Sequence, residues 1–215
     1  MVHILSKQNS IVNHFIAEMR NVTIQQDRMR FRRNLERLGE VAALEISKTF
    51  LYQEVEITTP LGIALVPQMQ EQPVLATILR AGLPLHQGLL NYFDGADNAF
   101  ISAYRRHHKD GSFDIHLEYV SSPKLEGRVV VLSDPMMATG QSLVQTFKAL
   151  IALGKPKHLH IVAAIASTEG LHHVQANVPE NASIWIGALD EELTAQSYIV
   201  PGLGDAGDLA YGTKE

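Results

Sequence analysis

An α/β fold, a mostly parallel sheet with helices on both faces, is what this sequence predicts, and three observations predict it. Short apolar runs recur along most of the chain, helix-like segments separate several of them, and hydrophobic residues make up 46% of the 215 positions against 19% charged. The runs are Val74 to Leu79, Ala99 to Tyr104, Val129 to Ser133, Leu159 to Ala166 and Ile184 to Ala188. Runs of this kind read as strands buried on both faces, and repeated β then α implies a parallel sheet. A chain of this length buries enough apolar surface to fold as one domain, spanning 1–215, with at most a small appended lobe.

The elements follow in order. Met1 to Ser10 lacks a charged stretch leading into a long apolar one, and no run approaches the roughly 18 apolar residues of a membrane span, so a cytoplasmic protein with no membrane partner is expected. From Gln26 to Phe50, Phe31, Leu35, Leu38, Val41, Ala42, Leu44 and Ile46 recur at spacings of three and four between charges such as Arg32, Arg33, Glu36 and Arg37, which predicts an amphipathic helix. Short β-like runs at Val55 to Ile57 and Ile63 to Val66 flank the turn residues Thr58, Thr59, Pro60 and Gly62, predicting a small lobe or arm. Beyond the third strand, Leu143, Phe147, Leu150 and Ile151 share a face of a helix over Ser142 to Leu153, which Gly154 stops. There is no cysteine, which excludes a disulfide framework, a thiolate nucleophile and a Cys-ligated metal. A net charge of -5 argues against a broad nucleic-acid surface and leaves a small anion as the expected partner.

In open sheets of this kind, ligands gather at the carboxyl ends of strands. The stretch Val129 to Leu143, VVVLSDPMMATGQSL, places a buried strand before an acidic residue, a Thr-Gly-Gln-Ser loop and a helix. Amides of Ala138 to Ser142 at a helix N-terminus suit a phosphate, and the Thr139 and Ser142 hydroxyls add donors. Gly140 allows close backbone approach, and Asp134 suits sugar hydroxyls. By composition alone the same residues also make an ordinary capped βα turn. Arg80 follows a strand, as a bidentate diphosphate ligand or a surface ion pair. Tyr198 to Asp208, with three glycines, one proline and two aspartates, excludes a regular helix or a central strand and reads as a glycine-rich loop.

DPMMATGQS closely resembles the phosphoribosyl diphosphate (PRPP) signature of uracil phosphoribosyltransferases, DPMLATGGS. ILRAG at Ile78 to Gly82, YR at Tyr104 to Arg105 and YIVPGLGDAGD at Tyr198 to Asp208 resemble further blocks in that family's order, and TPLG at Thr59 to Gly62 its N-terminal part. The resemblance implies a phosphoribosyltransferase-type fold with a small N-terminal hood lobe and a β-arm, in which residues 1–70 and the C-terminal loop hold the base. It implies catalytic roles for Arg80, Arg105 and Asp205. It implies PRPP contacts from Arg80, Arg105, Asp134, Pro135, Met136, Met137, Ala138, Thr139, Gly140, Gln141, Ser142 and Asp205, and uracil contacts from Ile199, Gly204, Asp205 and Ala206. Mg2+ would arrive on the diphosphate and water, with no direct protein ligand.

The implied activity is transfer of the 5-phosphoribosyl unit of PRPP to uracil N1, giving UMP and diphosphate. Two alternatives share the fold: a phosphoribosyltransferase for another base, against which the GDAGD loop argues, and a nucleotide-sensing regulator that binds RNA or DNA. Members are usually dimers or higher homo-oligomers, and some are activated by GTP. The chain departs from the family at Gln141, where a second glycine is usual, and at Arg106, His107, His108 and Lys109, where Asn and Glu are common. That basic cluster reads as a solvated loop tip, or as added charge over the diphosphate in a lid spanning Tyr104 to Tyr119.

Overall fold

The computed structural model describes residues 1–107 and 113–213, with side chains described for all of these except 103–107 and 113–117. In chain order the elements are β1 (Val2–Ile4), α1 (Ile11–Arg20), α2 (Arg28–Ser47), β2 (Tyr52–Thr59), β3 (Gly62–Met69), β4 (Val74–Leu79), α3 (Leu83–Tyr92), β5 (Asp97–His107) and β6 (Phe113–Ser121). They continue with β7 (Val129–Ser133), β8 (Met136–Met137), α4 (Gln141–Ile151), β9 (His158–Ser167), α5 (Thr168–Asn177), β10 (Ser183–Asp190), β11 (Glu192–Leu193), β12 (Ile199–Val200) and α6 (Ala206–Tyr211).

The main sheet runs β1-β10-β9-β7-β4-β5-β6, with β8 paired to β9. Every pairing in it is parallel except β5 with β6, so the predicted fold class holds. The five predicted strand runs fall within β4, β5, β7, β9 and β10. Their side chains divide between two cores. Val74, Ala76 and Ile78 of β4 and Val130 and Leu132 of β7 pack on α4 and α5, whereas Leu75 and Val131 pack on α1, α2 and α3. Burial on both faces is why these segments are apolar throughout.

Asp27 caps α2, accepting a hydrogen bond from the Arg30 N–H at 3.0 Å, and Phe31, Leu35, Leu38, Ala42 and Ile46 form its buried stripe. Leu44, expected on that stripe, is 47% exposed, because the buried face runs through Asn34, Gly39 and Ala43 instead. Gly39 and Gly88 bring α2 against α3: a Cβ at Gly88 would stand 1.9 Å from the Glu36 carbonyl oxygen. Helix α4 likewise buries Leu143, Phe147 and Leu150 but leaves Ile151, in its final turn, exposed. Helix α1 is not among the elements the sequence predicts; Ser10 and Asn13 form its capping box, and Val12, Ile16 and Met19 its buried face. Strands β2 and β3 form a two-stranded hairpin outside the main sheet, with Leu61, Ile63 and Leu65 exposed. Among the described residues, no helix is long and apolar enough to cross a membrane.

Near the β1 edge, His3 stacks on Trp185 and the Trp185 Nε1–H donates to His160 Nδ1 at 3.1 Å. His160 is 2% exposed, and burial, helped by nearby His158 and His3, pushes its pKa down to about 3. Burial lowers His86, His158 and His3 in the same direction. The folded state therefore holds a neutral His160 that the unfolded chain protonates once pH falls below about 6.5, so acid draws the equilibrium toward unfolding. At pH 5 the expected loss from His160 is about 2 kcal/mol relative to pH 8. Urea unfolding at the two pH values checks this: the pH-dependent difference should shrink in His160→Gln, and an unchanged difference excludes His160 as its source.

Candidate active site

The carboxyl ends of β4, β7, β9 and β10 point into one side of the sheet, and the loops that follow them meet there. After β7 the chain does not leave the sheet at once. The Asp134 N–H donates to the Val162 carbonyl at 3.0 Å, and the Pro135 carbonyl accepts from Ala164 and Ile165 at 3.1 and 3.0 Å. Met136 and Met137 then pair with Ile165 and Ala166 as β8. This short pairing, which the sequence does not predict, fixes the loop before its turn. The Asp134 Oδ1 accepts from the Met136 N–H at 3.3 Å.

The turn is made by Gly140, at φ 74° and ψ -6°, a left-handed conformation that favours glycine. Space demands glycine there as well, since a Cβ would lie 2.7 Å from the Gly170 carbonyl oxygen and 2.8 Å from Val174 Cγ2. Gln141 begins α4 with its side chain exposed, so this departure from the family leaves the turn at Gly140 intact. Asp134, Met136, Ala138, Thr139, Gly140 and Ser142 surround a hollow over the α4 N-terminus, whose first-turn amides lack intrahelical partners. Met137, by contrast, is wholly buried in the core.

Ser167 at the end of β9 and Gly170 in α5, neither of them among the residues the sequence singles out, hold this loop. The Ser167 hydroxyl donates to the Ala138 carbonyl and accepts from the Gly170 N–H at 2.8 Å. The available signal was Ser-Thr-Glu-Gly directly after an apolar strand, the pattern of a capped helix start.

Arg80 stands just past β4, after a cis Leu79–Arg80 peptide, with its side chain 40% exposed. Its Nη2 donates to the Gly212 carbonyl at 3.4 Å and lies 3.8 Å from Asp208 Oδ1, so the guanidinium reaches α6 rather than the phosphate hollow. Gly82 folds this loop tightly; a Cβ there would meet Thr77 Oγ1 at 2.2 Å. Arg105 lies on β5 in register with Ile115, as Arg106 and His107 lie opposite Asp114 and Phe113, but their side chains fall outside the described residues. His108 and Lys109, in the predicted lid tip, fall outside them entirely.

The glycine-rich segment, read from composition as loop, holds two short elements: β12, paired antiparallel with β11, and the six-residue α6. Helix becomes possible because Asp205 caps it, its Oδ1 accepting from the Asp208 N–H at 2.9 Å. Ile199 is buried, at 4% exposure. Gly204 and Asp205 border a cleft of about 730 Å³ shared with Gln25, Asp27 and Arg28. The two loops touch where the Ala206 N–H donates to Met136 Sδ at 3.4 Å.

A family model described as uracil phosphoribosyltransferase matches residues 6–213. This chain belongs to the uracil phosphoribosyltransferase family. A uracil phosphoribosyltransferase of Porphyromonas gingivalis is 54% identical over 210 residues, covering 98% of this chain and 97% of that one. Another, from Methanococcus maripaludis, is 38% identical over 200 residues, covering 92% and 84%. Among solved structures, the AQ2163 protein from Aquifex aeolicus superimposes with a TM-score of 0.87 at 31% identity, covering 99% and 98% of the two chains. A hypoxanthine phosphoribosyltransferase from Staphylococcus aureus, at 14% identity, a TM-score of 0.51 and 74% coverage of each chain, shares the fold. The phosphoribosyltransferase-type fold expected from the sequence is therefore the one observed in this uracil phosphoribosyltransferase family member.

Proposed function

We propose that this chain joins uracil to PRPP: the bond from ribose C1 to the diphosphate oxygen breaks, a bond from uracil N1 to C1 forms as the N1 proton passes to water, and UMP and diphosphate leave. The observation that carries this reading is the contact between Ala206 and Met136, which sets a phosphate cradle and a backbone-rich loop side by side. The α4 N-terminus and the Thr139 and Ser142 hydroxyls bind the 5-phosphate, and Asp134 orients the ribose. Arg80 and Arg105 stabilise the departing diphosphate, where negative charge accumulates in the transition state. Uracil presents alternating carbonyl and N–H groups, which suit the main chain of Ile199 and of Gly204 to Ala206.

A Mg2+ held mainly by substrate oxygens and water is part of this reading. Bound in that way, Mg2+ would supply further charge neutralisation on the diphosphate. A homo-oligomer is part of the proposal. An isolated two-stranded hairpin is marginal in water, and exposed Leu61, Ile63 and Leu65 on β2–β3 suit burial against a second copy.

Diphosphate release with PRPP and Mg2+, compared across uracil, cytosine, hypoxanthine, guanine and xanthine, tests the reading. UMP should form with uracil and no nucleotide with the others. Turnover of a purine in place of uracil, or nucleotide binding without turnover of any base, would overturn it in favour of the other-base enzyme or the regulator.

A further inference from the structure

Arg20 and Asp190 form a bidentate pair, Nη1 to Oδ2 at 2.8 Å and Nη2 to Oδ1 at 2.7 Å, with Asp190 only 7% exposed. Burying two charges is costly unless further hydrogen bonds satisfy them, and those bonds all but close on one residue. The Gly202 N–H donates to Asp190 Oδ2 at 2.9 Å, and the Gly202 carbonyl accepts from Arg20 Nη1 at 2.9 Å. Both backbone groups of Gly202 are thus held by one ion pair. Gly202 sits at φ 58°, after the cis peptide to Pro201, and a Cβ on it would lie 2.0 Å from the Ile199 carbonyl oxygen. The segment between Ile199 and Gly204 is therefore tightly folded, and its conformation is set from outside by α1 and β10.

We infer that the Arg20–Asp190 pair is a positioning device for the base loop, fixing through Gly202 the backbone groups of Ile199 and Gly204 to Ala206 that face uracil. This rests on the reading of that loop as the base site. Asp190 stands opposite Ser167 in the β9–β10 register, so neighbouring strand ends carry separate anchors, Ser167 for the phosphate loop and Asp190 for the base loop. The separation makes the two substrates distinguishable: loosening Asp190 should weaken uracil and spare PRPP. Neither residue touches substrate in this account; both act through Gly202.

Arg20→Lys and Asp190→Asn test it. Lysine keeps the charge but cannot place two nitrogens on the carboxylate and one on Gly202, and asparagine keeps the shape but loses the charge. In both, KM for uracil should rise about tenfold or more while kcat and KM for PRPP change less than about threefold. Arg128→Gln, which removes the exposed Arg128–Asp97 pair at the opposite end of the strands, should leave all three unchanged. Amide hydrogen exchange on the same proteins should quicken in 199–205 and not in 134–143. Unchanged exchange in 199–205 overturns the clamp. Quickened exchange with an unchanged KM for uracil keeps the clamp and removes the loop from base binding. Equal rises in both KM values, or loss of kcat alone, point to general loosening and reject a selective device.

Discussion

Replacing Arg80 with alanine is expected to lower kcat/KM for PRPP by about a hundredfold to a thousandfold, the range seen when one preorganised charge-stabilising donor is removed from an active site. Arg80 leaves the carboxyl end of β4, is 40% exposed, and among the described residues has only weak partners: a Gly212 carbonyl at 3.4 Å and an Asp208 carboxylate at 3.8 Å, itself 39% exposed. A half-exposed ion pair of that kind contributes about 0 to 1 kcal/mol to stability, so little holds the guanidinium away from an incoming diphosphate. The thermal midpoint should consequently move by no more than about a few degrees, while turnover collapses. Arg80→Lys should recover part of the loss, since an ammonium restores the charge but not the planar fork. Steady-state diphosphate release and differential scanning calorimetry measure the two quantities. A variant that retains full kcat/KM would remove Arg80 from the reaction, and one that loses activity only in proportion to its melting temperature would recast it as structural.

The residues that were legible in the sequence share one property: their role depends on neighbours close in the chain. The strands of the main sheet are buried on both faces and so announce themselves as apolar runs. Helix α2 shows its buried stripe at intervals of three and four, and Gly140 lies within the loop it turns. What stayed hidden depends on distant partners. Helix α3 carries Pro84 and Gly88, which look like interruptions until the near contact with Glu36 on α2 is seen. Helix α6 opens with Ala-Gly-Asp, a poor helix-forming start, and rests on one capping carboxylate. Arg20 and Asp190 are 170 residues apart and meet only because α1 packs beside β10. In the candidate site, the segments proposed to hold PRPP and the base are visible through the family resemblance, whereas Ser167, Gly170, Arg20 and Asp190, which bond to or pack on those segments, carry no such mark.

Gly170→Ala should expose one of these hidden supports. An ideal Cβ at Gly170 would stand 2.2 Å from the Ala138 carbonyl oxygen and 2.6 Å from that of Met137, both main-chain atoms of the phosphate loop. Neither can rotate aside as a flexible side chain would, so the loop must shift relative to α5. Overpacking of this kind costs about 1–3 kcal/mol of stability. The larger effect should fall on binding, because displacement of positioning groups by about 1 Å can cost about a hundredfold. KM for PRPP is therefore expected to rise about tenfold to a hundredfold, with KM for uracil nearly unchanged. Gly127→Ala supplies the comparison. Gly127, unlike Gly170, has a positive φ, 69°, and nothing lies within 4 Å of its added Cβ, so it should lose about 1–2 kcal/mol through backbone strain and keep both KM values. The pair separates lost stability from lost geometry: similar melting temperatures with divergent PRPP KM values would locate the effect in the loop beside Ala138. If the two variants bind PRPP alike, the close packing of Gly170 serves the fold and the 5-phosphate is held elsewhere.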